Sequence, residues 1–519
     1  MAAAALLYFP GLGNTPVYLA GDEVFFGLSA HSVAFTGRDL NGRFLPLYFQ
    51  WPPSIAPDVW FHPMEVYLTA PILRLLPLSE WSVRLPTVLL AMADIALMYS
   101  VAKRIFKRES LAIGAASLLT LTPAHFINSR IAMDFLYPLV FVMGWLLCLL
   151  TFLDRRRLWM LFVGTSLLGL GFYSYIAAVV MMPIYVAITA LTLLKTEPRP
   201  GRALAVAAGG FAWPLIAVFI FVLNNSAAVG DTAGRYGFRS LVETGQVHGV
   251  TMLRVLATIT DRISLYWRFF DPAYLFVAGG GFATGNTHRV GVFLMPVALF
   301  LLVGLNEIVN VRRSWANFVL ILGLATAPLA ACLVGEPYAV QRELFLLPFV
   351  ILIAIYGVES LLSARHRPTR LVGWWALAAI PLQFVLFFTD YHTTYRTRSA
   401  FAFEGNLRGA IEEVIDTPNV SNRVVYLSTD IRYIEIYWKL YLIKHHREDF
   451  LRRTVYFDPK RLEAGTVPRH SLLVVSAVKG AGEALVGSGQ FRRLSLVANI
   501  DRTLCCEILE RTMAGPGGS

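Results

Sequence analysis

The chain has 519 residues, of which 56% are apolar and only 15% are charged, and its mean hydropathy is +0.57. Soluble domains carry about 25% charged residues, so this composition excludes an ordinary soluble protein and predicts a polytopic membrane protein. The net charge of +11 would suggest nucleic acid as the partner of a soluble protein. In a membrane protein we expect that charge in cytoplasmic loops, and we predict no nucleic-acid partner.

The N-terminal residues 4–20 are apolar, but they are broken by helix-disrupting residues and fall short of the roughly 20 residues that a spanning helix needs. The breaking residues are Pro10, Gly11, Gly13 and Pro16. We expect 4–20 to be the outer end of a truncated first transmembrane helix. Gly21-Asp22-Glu23 then places two acids where this segment leaves the membrane. A large outer loop, 22–83, follows, and its apolar piece 66–78 is predicted to be a helix lying in the membrane interface.

Ten apolar segments after this loop are predicted to span the membrane. They lie near 85–103, 110–128, 134–153, 158–176, 178–194, 203–223, 291–310, 316–335, 344–362 and 371–389. Every second connection is short and rich in Lys and Arg, which indicates that those connections are cytoplasmic. The loop 22–83 and a second large loop, 224–290, then face outward, which in a bacterium is the periplasm.

The tail, 391–519, is not apolar enough for membrane. Strand-like runs alternate with helical ones, which predicts a small periplasmic α/β domain, and 514–519 are predicted to be disordered. We therefore predict a mainly α polytopic helix bundle over 1–390, with a small C-terminal α/β extramembrane domain over 391–519.

Ionisable side chains near the membrane are costly and indicate functional sites. Those predicted on the outer side are Asp22, Glu23, His62, Arg130, Asp134, Arg289 and Arg342. Transfer of a glycosyl group from a lipid phosphate needs a carboxylate that accepts a proton and cations that hold the phosphate. One acid with several arginines on one face meets that need.

Each of these residues also has a simpler interpretation. Asp22 could be a solvated boundary residue, and Arg130 with Asp134, four residues apart, could be an ion pair on a helix surface. Arg289 and Arg342 could be interfacial anchors, and His62 could be structural. We see no metal-ligand spacing among the four cysteines or elsewhere, so a divalent metal is possible but not supported, and no cofactor is predicted with certainty.

The order of motifs resembles the membrane glycosyltransferases of the GT-C fold: glycosyltransferase family 39, the protein O-mannosyltransferases and the aminoarabinose transferase of lipid A. The matching motifs are Gly21-Asp22-Glu23, Thr36-Gly37-Arg38-Asp39, Leu45-Pro46-Leu47, His62-Pro63, Arg84-Leu85-Pro86, Ser129-Arg130-Ile131-Ala132-Met133-Asp134, and Arg342 with Leu347-Pro348.

The resemblance implies roles for single residues. Asp22 would be the catalytic carboxylate with Glu23 beside it, and Asp134 the second acid. Arg130 and Arg342 would contact the donor phosphate, as His62 could. The sequence departs from the aminoarabinose enzyme at Phe61 and Met64, which speaks against a metal site of that enzyme's kind.

The leading hypothesis is an inverting glycosyltransferase of the bacterial cytoplasmic membrane. Its partners would be a polyprenyl-phosphate sugar donor, membrane lipid, and a lipid, protein or glycan acceptor. Two alternatives are a transporter or flippase of lipid-linked sugars and an inactive structural relative. Transporters place charges near the midplane of the membrane, whereas here they are predicted at one face, which favours the enzyme.

Overall fold

A computed structural model describes residues 1–235, 251–418 and 423–512. The predicted disorder of 514–519 and part of the predicted loop 224–290 lie outside the described residues. The chain forms two compact units. The first unit comprises Met1–Pro10, Gly37–Leu68 and Leu85–Asp390, and the second unit comprises Gly11–Thr36, Thr69–Arg84 and Tyr391–Ser519. The division into domains at residue 390 stays a prediction, because the second unit also includes two N-terminal segments.

Helices make up most of the described chain. In order they are α1 (Ala2–Tyr8), α2 (Gly21–Thr36), α3 (Met64–Leu75), α4 (Glu80–Phe106), α5 (Glu109–Thr120), α6 (Pro123–Ser129), α7 (Pro138–Arg155), α8 (Leu158–Gly171), α9 (Ile176–Thr196), α10 (Pro200–Asn224), α11 (Ser226–Arg235), α12 (Thr251–Arg268), α13 (Pro296–Asn306), α14 (Trp315–Thr326), α15 (Leu329–Val334), α16 (Val340–Glu343), α17 (Leu347–Leu362), α18 (Arg367–Asp390), α19 (Leu407–Asp416), α20 (Ile434–Lys444) and α21 (Ala481–Gly487).

All ten predicted spans coincide with helices. Within the described ranges, seven helical segments are long and apolar enough to cross a membrane, and an eighth is the pair α5 and α6, which is bent by 60°. Pro123, the first residue of α6, accounts for the bend. The segments Leu158–Gly171 and Pro296–Val311 are apolar but shorter. The prediction of a polytopic membrane protein is confirmed.

The first unit is held together by helices that approach closely at glycines. An added Cβ at Gly304 of α13 would lie 1.9 Å from the carbonyl oxygen of Ile353 in α17, and one at Gly357 of α17 would lie 2.0 Å from that of Phe300. Small residues permit such contact, and contact drives helix association in a bilayer. Most residues of α17 are buried, so this helix lies inside the unit rather than at its surface.

The basic connections predicted to be cytoplasmic meet at one end of the first unit. Arg108 and Arg312, which follow the first and seventh spans, both bind Glu359 near the end of α17, at 3.0 and 2.7 Å. Arg104 binds Asp154 at 2.9 Å, which links the connections after the first and third spans. These contacts agree with an alternating topology. Which end is cytoplasmic stays a prediction.

The prediction that 4–20 continue a first membrane helix is wrong. Helix α1 ends at Tyr8, and turns follow until α2 begins at Gly21. Gly11 adopts a positive φ of 67°, which favours glycine and breaks the helix. Gly21-Asp22-Glu23 therefore opens a helix rather than ending one, and the predicted loop 22–83 contains α2 as well as α3. The interfacial helix predicted at 66–78 corresponds to α3.

The second unit contains a five-stranded mixed sheet, as predicted for the tail. Its strands are β3 (Val425–Ser428), β4 (Thr454–Phe457), β5 (Leu472–Ser476), β6 (Phe491–Ala498) and β7 (Leu504–Arg511); the loop after α2 holds a short hairpin of β1 (Phe49–Gln50) and β2 (Trp60–Phe61). The order is β4-β3-β5-β7-β6, with β3 parallel to β4 and β5, and β7 antiparallel to β5 and β6. All four residues of β3 are buried, which indicates that both faces of the sheet are covered.

Candidate active site

Asp22 lies in the first turn of α2, in the second unit. Its side chain is half-buried, whereas Glu23 beside it is fully buried. A helix N-terminus stabilises a carboxylate, because the unpaired backbone N–H groups there carry partial positive charge. Of the two adjacent acids, Asp22 is therefore the one that a substrate can reach.

Glu23 is bound in a buried ion pair with Arg84, and both side chains are inaccessible to solvent. Arg84 donates from Nε to Glu23 Oε1 at 2.7 Å and from Nη2 to Oε2 at 3.0 Å, and the backbone N–H of Ala20 donates to Oε2 at 2.9 Å. The remaining donors of the guanidinium bind the backbone carbonyls of Leu12, Pro16 and Tyr18, at 3.1, 2.8 and 2.7 Å.

This Arg84 clamp satisfies backbone carbonyls that the turns of 11–20 cannot pair among themselves. It also fixes the residue next to Asp22. Sequence reasoning noticed Arg84 only as the start of a span and missed this role, although a charged residue beside an apolar run was a usable signal.

Arg130, predicted to contact phosphate, is fully buried in the first unit. Its Nη1 donates to the carbonyl of Tyr8 at 2.5 Å and its Nη2 to that of Pro10 at 2.8 Å. It follows the last residue of α6 and anchors the end of α1. Arg130 thus binds two backbone carbonyls, and its contact with the donor phosphate stays a prediction.

Asp134 is also buried in the first unit, at 4% exposure. Residues 130–137 form turns between α6 and α7. Arg130 and Asp134 therefore lie between two helices rather than on the surface of one, and the role of Asp134 in the site stays a prediction.

His62 lies beside β2 and is buried, with the Tyr48 ring edge-on at 5.2 Å. Burial lowers the pKa of His62 from 6.5 to about 3, so the imidazole is neutral at physiological pH. A neutral ring could donate one hydrogen bond to a phosphate but could not neutralise its charge.

Arg342 and Arg289 are cations of the first unit that keep carboxylate partners. Arg342 in α16 donates from Nε to Glu336 at 2.9 Å and is 10% exposed, while Arg289 binds Asp390 at 3.2 Å and is 60% exposed. Each guanidinium has five donors in a planar fork, so either can add a phosphate oxygen without losing its carboxylate. Next to Arg342, the buried Glu343 accepts a hydrogen bond from Tyr274 at 2.7 Å.

The predicted site residues thus divide between the two units. Asp22 and Glu23 belong to the second, and His62, Arg130, Asp134, Arg289 and Arg342 belong to the first. Across the described ranges, no three His, Cys, Asp or Glu side chains are grouped so that they could hold a metal ion.

Comparison with known proteins points to one class. Residues 57–218 match the family described as dolichyl-phosphate-mannose-protein mannosyltransferase. This range includes Arg84, Arg130 and Asp134 but not Asp22 or Arg342. No curated protein matches the sequence.

Solved structures share the fold. ArnT from Cupriavidus metallidurans bound to undecaprenyl phosphate is 13% identical, with a TM-score of 0.54 over 99% of this chain and 98% of that one. Its apo form is 12% identical, with a TM-score of 0.56 over the same shares. The apo oligosaccharyltransferase of Archaeoglobus fulgidus is 13% identical, with a TM-score of 0.50 over 97% of this chain and 73% of that one. The resemblance to membrane glycosyltransferases of the GT-C fold is confirmed.

Proposed function

We propose that this protein transfers a glycosyl group from a polyprenyl-phosphate sugar to a cell-envelope acceptor, at the outer face of the bacterial cytoplasmic membrane. Three findings support the proposal: the membrane helix bundle, the family match over 57–218, and the fold shared with a structure that holds undecaprenyl phosphate. The observation that carries it is Asp22, a half-buried carboxylate at a helix N-terminus, placed by the buried Glu23–Arg84 pair.

In the proposed reaction, a hydroxyl or amine of the acceptor attacks the anomeric carbon of the sugar, and its proton passes to the Asp22 carboxylate. The bond between the anomeric carbon and the phosphate oxygen breaks, and the polyprenyl phosphate leaves with the bonding electrons. One displacement from the opposite face inverts the anomeric centre. By taking the proton, the Asp22 carboxylate makes the attacking hydroxyl or amine more nucleophilic. Cations stabilise the negative charge that grows on the leaving phosphate.

The structure refines which residues we assign to these steps. We assign proton acceptance to Asp22 and a positioning role to Glu23, because Glu23 is enclosed and paired with Arg84. Asp134 remains the candidate for orienting the acceptor.

For the donor phosphate we favour Arg289, whose side chain is 60% exposed, and Arg342, whose side chain is 10% exposed whereas Arg130 is fully buried. We assign His62 a neutral hydrogen-bonding role because of its low pKa, and Arg130 a supporting role through the end of α1.

A deletion strain tests this function. Mass spectrometry of its envelope glycans, lipids and proteins should show a product that lacks one sugar, restored by the wild-type gene and by an Asp416→Asn control, whose carboxylate is exposed on α19. Asp22→Asn should fail to restore it at equal membrane abundance.

The same samples separate the alternatives. Normal product with Asp22→Asn would reject Asp22 as the proton acceptor. A shift of lipid-linked sugar between the two leaflets, with no missing sugar on any acceptor, would indicate a transporter.

A further inference from the structure

Helix α20 of the C-terminal tail packs against α2 near its start. The ring of Tyr433, which precedes α20, lies against Gly21 so closely that an added Cβ would be 2.4 Å from the ring atom Cδ2. One turn later, the hydroxyl of Tyr437 donates to the carbonyl of Leu19. Gly21 and Leu19, which both precede Asp22, are therefore contacted by side chains from more than 400 residues further along the sequence.

Arg432 binds this tyrosine and in turn pairs with Glu404. The Arg432 guanidinium donates from Nη2 to the Tyr433 hydroxyl at 2.5 Å, lies 4.4 Å from the Tyr433 ring centre, and is 3.5 Å from Glu404 Oε1. The Arg432 side chain is 68% exposed, and that of Glu404 is 21% exposed. Tyr433, which contacts Gly21, is thus bound to an ion pair whose cation is exposed to solvent.

The backbone at this ion pair is unusual. Tyr433 has a φ of 60° and Glu404 a φ of 58°, the left-handed region that L residues seldom adopt. Such conformations persist only where their surroundings fix them, and they cluster at functional sites.

The charges influence one another. Burial raises the pKa of Glu404, the nearby Asp22 carboxylate raises it further, and Arg432 opposes both effects. Burial also raises the pKa of Tyr433, where Arg432 acts against Asp22 and Glu404. Tyr437 faces the same carboxylates, and burial again dominates its raised pKa.

We propose that Glu404 and Arg432 complete the Asp22 site, with Glu404 acting as a second carboxylate and Arg432 as its counter-cation. Together they set the pH range in which Asp22 accepts the proton of the acceptor. They act through Asp22 and are positioning residues rather than catalytic ones. The inference rests on the proposed function, because it concerns how the same carboxylate is tuned by the C-terminal part of the chain.

The test is the pH dependence of kcat/KM for glycosyl transfer by the full-length protein in lipid vesicles, since this profile reports the groups of the free enzyme. Glu404→Gln removes a negative charge near Asp22, so the Asp22 carboxyl loses its proton more easily. The acid limb of the profile, where kcat/KM rises with pH, should therefore move to lower pH. Arg432→Gln removes a positive charge, so the acid limb should move to higher pH. Each shift should be on the order of half a pH unit, as for charges that interact through partly solvated protein.

Matched controls come from the same unit. Glu413→Gln and Arg452→Gln change exposed residues and should leave the profile unmoved. Glu404→Asn is a second neutral variant, and Asn tolerates the left-handed conformation at this position. The role of Glu404 can therefore still be tested if Glu404→Gln does not fold.

Opposite shifts in the Glu404 and Arg432 variants support the proposal. Acid limbs equal to that of the wild type would overturn it, as would complete loss of activity at every pH in both folded Glu404 variants. Asp22→Asn separates a failure of the proposed function from a failure of the present inference. If Asp22→Asn retains glycosyl transfer, the proposed function fails. If it loses transfer while the Glu404 profile is unmoved, only the present inference fails.

Discussion

Arg84→Met removes the cation of the buried clamp while keeping a long apolar side chain. The change leaves the Glu23 carboxylate without its guanidinium partner, and the carbonyls of Leu12, Pro16 and Tyr18 lose their donor. Removing one partner of a buried ion pair typically costs about 3–5 kcal/mol, because the other charge stays buried and uncompensated. The three lost carbonyl contacts add to the cost, so we expect the upper part of this range.

The assay is the thermal unfolding of the purified protein in detergent micelles, followed by tryptophan fluorescence. For a cooperative unit of about 150–250 residues, a loss of 3–5 kcal/mol lowers the melting temperature by about 6–20 °C. Arg452→Met, at an exposed site, is the matched control and should change it little. The double variant Glu23→Gln with Arg84→Met should lose less than Arg84→Met alone, because no lone charge is left behind.

Glycosyl transfer by Arg84→Met should fall along with stability, because the clamp fixes the residue next to Asp22. An Arg84→Met protein that melts within about 2 °C of the wild type would refute the clamp. A double variant that loses as much stability as Arg84→Met alone, or more, would refute the idea that an uncompensated Glu23 causes the loss.

Three further predictions concern single residues. Gly21→Ala should abolish transfer because its Cβ would meet the Tyr433 ring at 2.4 Å, and Tyr433→Gly in the same chain should restore part of the activity. Gly304→Ala places a methyl group 1.9 Å from a backbone carbonyl and should destabilise by about 1–3 kcal/mol or more. Gly209→Ala, with no atom within 4 Å, should be neutral or stabilising in the same melting assay. Burial lowers the pKa of His62 to about 3, so its contribution to the stability of the folded protein is complete above pH 6.5 and is lost as pH falls toward 3. His62→Gln should therefore flatten the fall in melting temperature between pH 7 and 5. An unchanged slope would contradict the buried neutral ring.

Local signals made much of the fold predictable. The ten spans follow from apolar runs bounded by basic residues, and the tail's sheet follows from strand and helix patterns that are each a few residues long. These signals depend on neighbouring residues only. They therefore located α4 and α17 within a few residues of their observed positions.

The error at the N-terminus has a different cause. An apolar stretch that ends in Gly21-Asp22-Glu23 reads locally as the end of a helix. What decides the structure is Arg84, 61 residues away from Glu23 along the chain, which takes up the carbonyls of the turns and pairs with Glu23. A single sequence does not reveal that pairing.

The same reasoning explains what was missing from the candidate site. Asp22 was singled out from the sequence because an acid at a membrane boundary is costly and therefore informative. Glu404, Arg432 and Tyr433 were not found, because they lie in a tail that has the composition of an ordinary soluble domain. Their importance comes from the left-handed backbone at Tyr433 and from its contact with Gly21, which have no signature in the residue types.

The central claim is that Asp22 accepts the acceptor's proton during glycosyl transfer. The most direct measurement is the transfer rate from a polyprenyl-phosphate sugar to an envelope acceptor in reconstituted vesicles, comparing wild type, Asp22→Asn and the Asp416→Asn control. Loss of a general base costs about 10²–10⁴-fold in rate, so Asp22→Asn should fall by that factor while the control keeps its activity. A rate for Asp22→Asn within a few-fold of the wild type would contradict the account.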